Sequence, residues 1–356
     1  MRAHGQGPAR IGGDSPILTQ TDIDRARWDA YVAGTPSSAF YHQYDWLQLV
    51  GDVYGGEPIY LAAQDDGELA GVLPLMLRKV VGAGRVLLSV PFADEGGMLA
   101  ESDEARAALI DAARTLMDER SATYVEMRQR EPIDGSEVDR SRVNMEMVLP
   151  EDADTLWDDF KGKVRNQVRK AGKSGLEAAP AADVHAAIER AFYPVYCENT
   201  RDLGSPMHSE RFFHEMADRF PGACDIVTVY EGDSVAGAGF ALRWRGRMSV
   251  PWASSLRRYF DMCPNNLLYW ELMRLAFERG CSVFDFGRSP KESGTYRFKK
   301  QWGAEPVQLH YCYLGNAEIG DRRDSRSYRI FSSVWERTPL PIARALGPKI
   351  FARLPI

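Results

Sequence analysis

The residues best suited to chemistry lie where an apolar strand runs into a charged loop. The segment Phe284-Asp285-Phe286-Gly287 places a carboxylate close to the C-terminal end of a predicted strand, and open α/β sheets bind their ligands at such ends. Gly287 permits a sharp turn after the strand. The sequence therefore predicts that Asp285 faces a cleft, although the same carboxylate could cap the next turn or pair with Arg288.

A group of cations follows Asp285, and Glu292 is the only acid among them. Such a group favours phosphate or an anionic acyl donor, whereas a solvated surface helix explains the same charges. Aromatic residues alternate with the cations, which suits stacking on a ribose or a base but equally suits packing against a core. The cations are Arg288, Lys291, Arg297, Lys299 and Lys300, and the aromatic residues are Tyr296, Phe298 and Trp302.

A second basic run, residues 161–173, contains no acid. Lys161, Arg165 and Arg169 recur every four residues, so a helix here places like charges on one face, at a cost of roughly 0.3 kcal/mol per pair. An anionic ligand would relieve this repulsion, while a solvated linker helix would tolerate it. The residues that this pattern assigns to anion binding are Lys163, Arg165, Arg169 and Lys170.

The elements that must position these residues are repeated along the chain. Residues 68–75 and 234–241 have matching patterns, and the similarity extends to both sides. Each copy reads as strand, acidic turn, strand, second hairpin, long helix and strand, with the long helices predicted over 104–119 and 265–279. Repetition of this kind indicates a duplicated fold. The prediction is a mixed α/β sheet, mostly antiparallel and flanked by helices, in each half.

A chain of 356 residues with 44% apolar residues is long enough for two domains. The predicted divisions are a flexible tail over 1–15, a first domain over 16–150, a second domain over 151–320 that carries the donor site, and a basic amphipathic segment over 321–356. A final strand is predicted where Val307, Leu309, Tyr311 and Tyr313 alternate.

Charge and cysteine content exclude several classes of protein. A net charge of −6 argues against a protein devoted to coating nucleic acid. The five cysteines are widely spaced and never form a C-x-x-C pair, so the sequence predicts neither a disulfide framework nor a metal site, and it favours a reducing cytoplasm. Residues 1–15 lack the apolar core of a signal peptide.

The segment after residue 326 combines cations with large apolar residues, and Glu336 is its only acid. Such a segment could rest on an anionic membrane at the inner face and bring the protein to a lipid-linked acceptor. Alternatively, it could pack across the junction of the two domains. Its cations include Arg329, Arg337, Arg344, Lys349 and Arg353.

Four segments together resemble the FemAB-type transferases, most closely the FemAB-like proteins of exosortase and exopolysaccharide loci. They are residues 165–175 (RNQVRKAGKSG), 264–270 (PNNLLYW), 284–289 (FDFGRS) and 294–303 (GTYRFKKQWG). The resemblance implies two fused acetyltransferase-like (GNAT) domains, and transfer of an aminoacyl group from aminoacyl-tRNA to the amine of a cell-wall precursor. It also maps the donor-site Phe-Lys pair of the family onto Phe298 and Lys299.

Two departures from related patterns bear on the donor. The chain lacks the long coiled-coil insertion of many FemAB members, which argues against tRNA. It also lacks an R-x-x-G-x-G/A loop before the helix predicted at 265–279, which argues against acetyl-CoA, because such a loop offers backbone N–H groups to phosphates. The predicted co-substrate is therefore aminoacyl-tRNA or acyl-CoA, with no other cofactor.

The resulting prediction is an enzyme that forms an amide on an amine of a peptidoglycan or exopolysaccharide precursor. Asp285 orients or deprotonates the amine, and Lys299 or Arg288 stabilises negative charge on the reacting oxygen. Arg288, Tyr296, Phe298 and Lys300 bind the donor. The alternatives are an acyl-CoA-dependent N-acyltransferase of the same fold, a non-catalytic module that grips a glycan or a protein, and a nucleic-acid binder.

Overall fold

The structure is a computed structural model that describes residues 18–21, 23–317 and 326–354. The described residues form two mixed β-sheets with helices packed against them. The tail predicted over residues 1–15 lies outside the described residues.

The strands of the described residues, in chain order, are β1 (Leu18–Gln20), β2 (Glu57–Asp65), β3 (Glu68–Val80), β4 (Gly84–Leu88), β5 (Leu99–Ala100), β6 (Tyr124–Gln129), β7 (Glu137–Asp139), β8 (Arg142–Val148), β9 (Leu176–Pro180), β10 (Cys224–Glu231), β11 (Ser234–Trp244), β12 (Arg247–Ser255), β13 (Val283–Pro290), β14 (Glu305–Gln308) and β15 (His310–Gly315). The first sheet has the order β1-β2-β3-β4-β6-β15-β7, and β5 pairs with β3. The second sheet has the order β9-β10-β11-β12-β13-β8-β14.

The helices of the described residues are α1 (Arg25–Gly34), α2 (Tyr44–Tyr54), α3 (Asp103–Glu119), α4 (Ala153–Asp159), α5 (Gly162–Lys173), α6 (Val184–Ala187), α7 (Tyr193–Asp202), α8 (Glu210–Arg219), α9 (Pro264–Glu278), α10 (Gly294–Gln301), α11 (Arg326–Trp335) and α12 (Leu340–Phe351). A π-helical turn, Ile188–Phe192, joins α6 to α7. None of the described helices combines the length and the apolar character that a membrane span requires.

The two sheets share one topology, so the duplication predicted from the repeat is confirmed. In each sheet an antiparallel hairpin series leads into a strand, a crossover helix and a parallel strand: β4-α3-β6 in the first and β12-α9-β13 in the second. The crossover helices form as their periodicity predicts. Leu109, Ala113 and Leu116 of α3 are buried, as are Leu268 and Leu272 of α9, and each helix packs on its own sheet.

The second sheet divides at its parallel pair. The pairing of β12 with β13 covers Arg247 to Ser249 against Val283 to Asp285 and does not continue toward the C-terminal ends. Beyond that point β12 remains paired with β11, and β13 remains paired with β8. A gap therefore opens between the two strands just where Asp285 lies.

The sheets exchange strands across the predicted domain boundary. β8 precedes residue 150 but pairs with β13 and β14 of the second sheet, while β15 follows the second half but pairs with β6 and β7 of the first. The boundary predicted at residue 150 therefore does not separate the sheets. The single final strand predicted around Leu309 is also wrong, because the chain passes from one sheet to the other at this buried residue, between β14 and β15.

A core shared by both halves joins them. Trp46 of α2 contacts Phe212 of α8 edge-on at 6.0 Å, and Phe40 contacts Phe220 at 4.7 Å. The ring-rich segment after Phe40 packs inward in one continuous apolar cluster with α7 and α8. Separate clusters lie beneath α3 and α9. The halves thus meet across an apolar interface whose open edge forms the candidate site.

Candidate active site

Asp285 lies at an irregularity of β13. The register against β8 shifts between Asp285 and Arg288, and Gly287 has a φ of 77°. The Asp285 Oδ1 atom accepts a hydrogen bond of 2.8 Å from the Gly287 N–H. The sequence allowed Asp285 either to face a cleft or to cap the next turn. The structure shows both, since the carboxylate caps the turn and also lines a cleft between the two halves.

The cleft has two adjoining compartments. The space beside Asp285 is small, about 10 Å³, roughly enough for one water-sized group. A larger cavity of about 220 Å³ adjoins it, and Tyr41, Asp94 and Pro251 line both spaces. Aromatic rings and two guanidinium groups form much of the wall of the larger cavity; its other lining residues include Phe92, Arg128, Tyr196, Trp252, Arg288 and Phe351. One small polar group can therefore reach Asp285 while a larger body fills the cavity.

Three carboxylates meet beside the small compartment. Glu95, Glu146 and Asp285 each place an oxygen within 4.8 Å of the other two. Burial, together with the neighbouring Glu146 and Glu95, raises the pKa of Asp285 to about 7 against the opposing effect of Arg247. A carboxyl group with a pKa near neutrality can accept a proton from an amine and release it again.

Two arginines compensate the charge of this cluster. Arg130 donates to Glu95 at 2.7 Å and to Glu146 at 2.6 Å, and Arg247 lies 2.9 Å from Glu146 and 3.8 Å from Asp285. The three oxygens are close enough to hold a cation, but the two guanidinium groups already supply positive charge there. This arrangement favours a charge-balanced proton site over a metal centre.

Asn144 adds an unsatisfied acceptor to the site. Its Nδ2 atom lies 3.5 Å from the Asp285 Oδ2 atom, and its buried Oδ1 atom has no hydrogen-bond partner among the described residues. Ser249 donates to the same Asp285 oxygen at 3.2 Å. A protonated Asp285 can donate to an amide oxygen at this position, which agrees with the raised pKa.

Lys299 is buried against the end of β13. Its Nζ atom donates to the carbonyl oxygens of Gly287 at 2.9 Å and Arg288 at 3.0 Å. Burial lowers its pKa to about 8, while Asp94 and Asp285 act to raise it. Lys299 therefore holds the backbone that follows Asp285, and its predicted catalytic role stays a prediction.

Arg288 connects the second half to the first. Its backbone N–H donates to Asp94 at 3.1 Å, its Nε atom lies 3.3 Å from the same carboxylate, and its Nη1 atom donates to the Tyr311 hydroxyl at 2.5 Å. Asp94 and Tyr311 both belong to the half that carries the first sheet. The guanidinium group lines the larger cavity, so it lies where a donor or an acceptor could contact it.

The other predicted donor residues lie on α10 but point in different directions. Phe298 packs against Tyr269 with ring centroids 5.5 Å apart, and Tyr296 packs on the core beneath α9. Lys300 is exposed and lies 3.4 Å from Glu305. The structure thus does not bring Tyr296, Phe298 and Lys300 together at the cleft beside Asp285, and their role in donor binding stays a prediction.

The second basic run forms α5, as predicted. Val164 and Val168 pack inward, and the cationic side chains lie on the other faces of the helix. Arg165 is 3.5 Å from Asp158, and the Arg169 guanidinium lies over the Trp157 ring at 5.3 Å. The predicted anion-binding residues Lys163, Arg165, Arg169 and Lys170 therefore form one partly exposed basic surface, separate from the small compartment.

The sequence did not reveal the contribution of the first half. Asp94 and Glu95 lie in the loop after β4, which β6 holds in place through Gly96 N–H to Arg128 C=O at 3.0 Å. Within this loop Val90 and Phe92 have φ values of 42° and 68°, which are costly for such side chains and occur often at functional sites. The acidic, glycine-ending run Asp94-Glu95-Gly96-Gly97 was the available signal.

Replacing Gly287 with alanine is expected to lower the free energy of unfolding by about 1–3 kcal/mol. An added Cβ atom would lie 3.3 Å from the Val250 carbonyl oxygen, at a φ that side chains rarely adopt. Gly303→Ala is the matched control, because Gly303 has a φ of 92° but open space around it. Urea denaturation of both variants gives their free energies of unfolding, and the difference between the two losses measures the steric contribution of the Val250 carbonyl. Equal losses of stability would show that Val250 does not crowd this position.

Residues 158–300 match the model of the acetyltransferase (GNAT) domain family. None of the curated proteins compared with the chain is significantly similar to it in sequence. The match lies in the half that contains Asp285 and Lys299.

Solved structures resemble the chain over most of its length. FemX is similar with a TM-score of 0.66 at 15% identity, over 90% of this chain and 100% of that chain. The C-terminal domain of a putative lysylphosphatidylglycerol synthetase from Agrobacterium fabrum gives 0.55 at 11% identity, over 82% and 92%. A tandem GNAT protein from the clavulanic acid biosynthesis pathway gives 0.52 at 11%, over 86% and 99%. Residues 158–300 are therefore similar to a GNAT acetyltransferase domain, and the fold of the whole chain is similar to that of FemX.

Proposed function

We propose that the chain transfers an aminoacyl group to an amine of a cell-envelope precursor, in the cleft between its two halves. The observation that carries this proposal is the placement of Asp285, a buried carboxyl group with a pKa of about 7, beside a compartment of about 10 Å³ next to a cavity of about 220 Å³. An amine nitrogen is about the size of the first space, and the precursor that carries it suits the second.

The chemistry requires one proton acceptor and a fixed approach. The acceptor amine enters as an ammonium group, and Asp285 takes a proton from it, so that the free nitrogen lone pair attacks the donor carbonyl carbon. A C–N bond forms, the ester C–O bond to the donor breaks, and the leaving oxygen takes the second proton, which the attacking nitrogen loses as it becomes an amide. Asp285 then releases its own proton to solvent. In this proposal the positive charge of Arg288, which lines the larger cavity, stabilises the oxyanion that develops in between, and Lys299 holds the backbone of Gly287 and Arg288 beside it.

The walls of the larger cavity suit an acceptor that has an aromatic or apolar part and also an anionic part. Phe92, Trp252 and Phe351 provide flat apolar surface, and the guanidinium groups of Arg128 and Arg288, which are paired with Glu126 and Asp94, provide N–H donors. Envelope precursors that bear peptides combine amines with carboxylates, so their chemistry fits these walls. The association with exosortase loci stays a prediction.

The donor proposal depends on two regions. The connection from β12 to α9 is a short 3-10 turn, Arg257–Met262, without a glycine, so it offers little of the free backbone N–H surface that a pyrophosphate needs. The α5 surface, by contrast, carries four cations along one helix and suits the sugar–phosphate backbone of a nucleic acid. These features favour aminoacyl-tRNA. The acetyltransferase family match favours the second candidate, acyl-CoA.

Single-turnover transfer to a peptidoglycan precursor with a free lysine ε-amine tests the proposal. The chain is supplied in parallel with radiolabelled aminoacyl-tRNAs and with acyl-CoAs. Amide formation from tRNA, lost in Lys163→Gln/Lys170→Gln but kept in Arg114→Gln/Arg140→Gln, is the expected result. The second pair removes the same charge from exposed residues of the first half.

The outcomes separate the candidates. Removing two phosphate contacts should reduce the slope of log affinity against log salt by roughly 2 for tRNA. Transfer from acyl-CoA that ignores the α5 substitutions would establish the second candidate instead. Binding of a precursor without transfer from either donor would indicate a non-catalytic module and would overturn the proposal.

A further inference from the structure

The C-terminal helices have one face against the protein and one face free of it. Trp335 of α11 and Ala343, Gly347 and Phe351 of α12 are buried, and Trp335 and Ala343 belong to the core that joins the halves. Arg78 also donates to the carbonyl oxygen of Ala352. The expected packing of this segment across the junction therefore accounts for its inner face.

Large apolar side chains are concentrated on the outer face. Ile330, Val334, Ile342 and Leu346 are 45% to 64% exposed. They make up half of the exposed large hydrophobic residues in the described part of the chain, although α11 and α12 are a small fraction of it. Leu203 lies beside Gly204, which faces Ser332 of α11, and adds a further exposed apolar side chain. Clustered apolar exposure of this kind marks an interaction surface.

Positive charge surrounds these apolar residues. Glu336, which lies between the two helices, is the only acid among residues 326–354, whereas the protein as a whole has a charge of −6. Exposed cations on and just after the same helices are Arg326, Arg329, Arg337, Arg344, Lys349 and Arg353, of which Arg344 lies 3.9 Å from Glu210. This outer face, called the C-terminal face below, thus combines aliphatic side chains with excess positive charge.

We propose that the C-terminal face binds the surface of an anionic membrane. Aliphatic side chains on a helix lying in the membrane plane enter the acyl boundary, and the flanking cations attract anionic headgroups. A second copy of the chain fits less well, because a symmetric contact would bring the same six cations against themselves with one acid in this segment to offset them. Charge complementarity therefore selects the lipid surface.

The proposed surface lies close to the cleft. Phe351 of α12 lines the cavity of about 220 Å³, while Ile342 and Leu346 of the same helix are on the C-terminal face. If the acyl transfer proposed above is correct, an acceptor attached to a lipid would meet the cavity at the membrane surface. Membrane binding itself does not depend on that reaction.

Vesicle sedimentation of the full chain tests the proposal without any substrate. The chain is expected to bind phosphatidylcholine vesicles that contain about 30% phosphatidylglycerol, and this binding should weaken as the salt concentration is raised. Arg329→Gln/Lys349→Gln should weaken it by roughly fivefold per charge removed. Ile342→Ser/Leu346→Ser should weaken it by about tenfold or more, because two aliphatic side chains no longer insert.

The controls match these variants in type and exposure. Arg114→Gln/Arg140→Gln removes two exposed cations elsewhere, and Val148→Ser removes an exposed aliphatic residue of β8; both should bind like the unchanged chain. Circular dichroism verifies folding of each variant. Equal binding by all variants, no binding to anionic vesicles at low salt, or concentration-dependent dimers abolished by Ile342→Ser/Leu346→Ser would each overturn the proposal. Vesicle binding with no acyl transfer would leave it intact and refute the proposed function alone.

Discussion

The Asp285→Asn variant is expected to lose about 10²- to 10⁴-fold in kcat while becoming more stable at pH 8 by about 2–4 kcal/mol. The amide cannot accept the proton of the acceptor amine, so catalysis falls. It also removes a buried negative charge that lies beside Glu146 and Glu95, and it can donate to the orphaned Asn144 Oδ1 atom. Single-turnover rates and urea unfolding measure the two effects.

The same group sets a pH dependence of known sign. The folded-state pKa of Asp285, about 7, lies above its ordinary value of 3.8, so the folded protein holds this proton more tightly than the unfolded chain does. Its contribution to stability is full below pH 4 and is lost as pH rises to 7. The stability gain of Asp285→Asn should therefore grow between pH 4 and 7 and stay constant above pH 7.

Activity should show the opposite trend, because the base must be ionised. The value of kcat/KM is expected to rise through an inflection near pH 7, and Asp285→Asn should abolish that inflection. Ser249→Ala, which removes one hydrogen bond to the carboxylate, is a control that should move the inflection without removing it. A variant that kept both full activity and the inflection would show that Asp285 is structural.

Arg128→Met is expected to lower the free energy of unfolding by about 3–5 kcal/mol. Arg128 and Glu126 form a buried ion pair of 2.7 Å, and removal of the cation leaves the Glu126 charge uncompensated. The Arg128 Nη1 atom also donates to the Ala93 carbonyl oxygen at 2.7 Å, which holds the loop that carries Asp94. Activity should therefore fall together with stability.

The double variant Glu126→Gln/Arg128→Met separates the two consequences. Most of the stability should return, because no buried charge is left unpaired, while activity should remain low, since the loop still lacks its contact at Ala93. Arg114→Met, at an exposed position, should change neither quantity. Recovery of activity along with stability would show that Ala93 does not need this hydrogen bond.

Local patterns in the sequence predicted local structure well. The 3.6-residue periodicity placed α3 and α9 within about a residue of their observed bounds, and the repeat predicted two sheets of one topology. The exchange of β8 and β15 was not predictable in this way. Val307, Leu309, Tyr311 and Tyr313 alternate without interruption, and alternation does not record which sheet a strand joins.

The candidate site was predictable only from one side. The end of an apolar strand and a following glycine indicated Asp285, because these are features of neighbouring residues. Glu95 and Glu146 reach the same point from distant parts of the sequence, so no spacing relates them to Asp285. For Tyr296 and Phe298 the local pattern was visible but its meaning was not. A helix that alternates cations with aromatic residues can turn the rings toward the core as readily as toward a ligand.

The strand exchange limits how the two halves can move. The chain passes between the sheets twice, at the turn from β7 to β8 and at Leu309, and these crossings adjoin through a hydrogen bond of 3.3 Å from Leu309 N–H to Arg142 C=O. Two adjacent covalent connections act as one hinge line, so rotation about that line leaves every strand pair intact, whereas sliding does not. A chain severed at residue 150 would accordingly leave each fragment without an interior strand, β15 in the first sheet and β8 in the second.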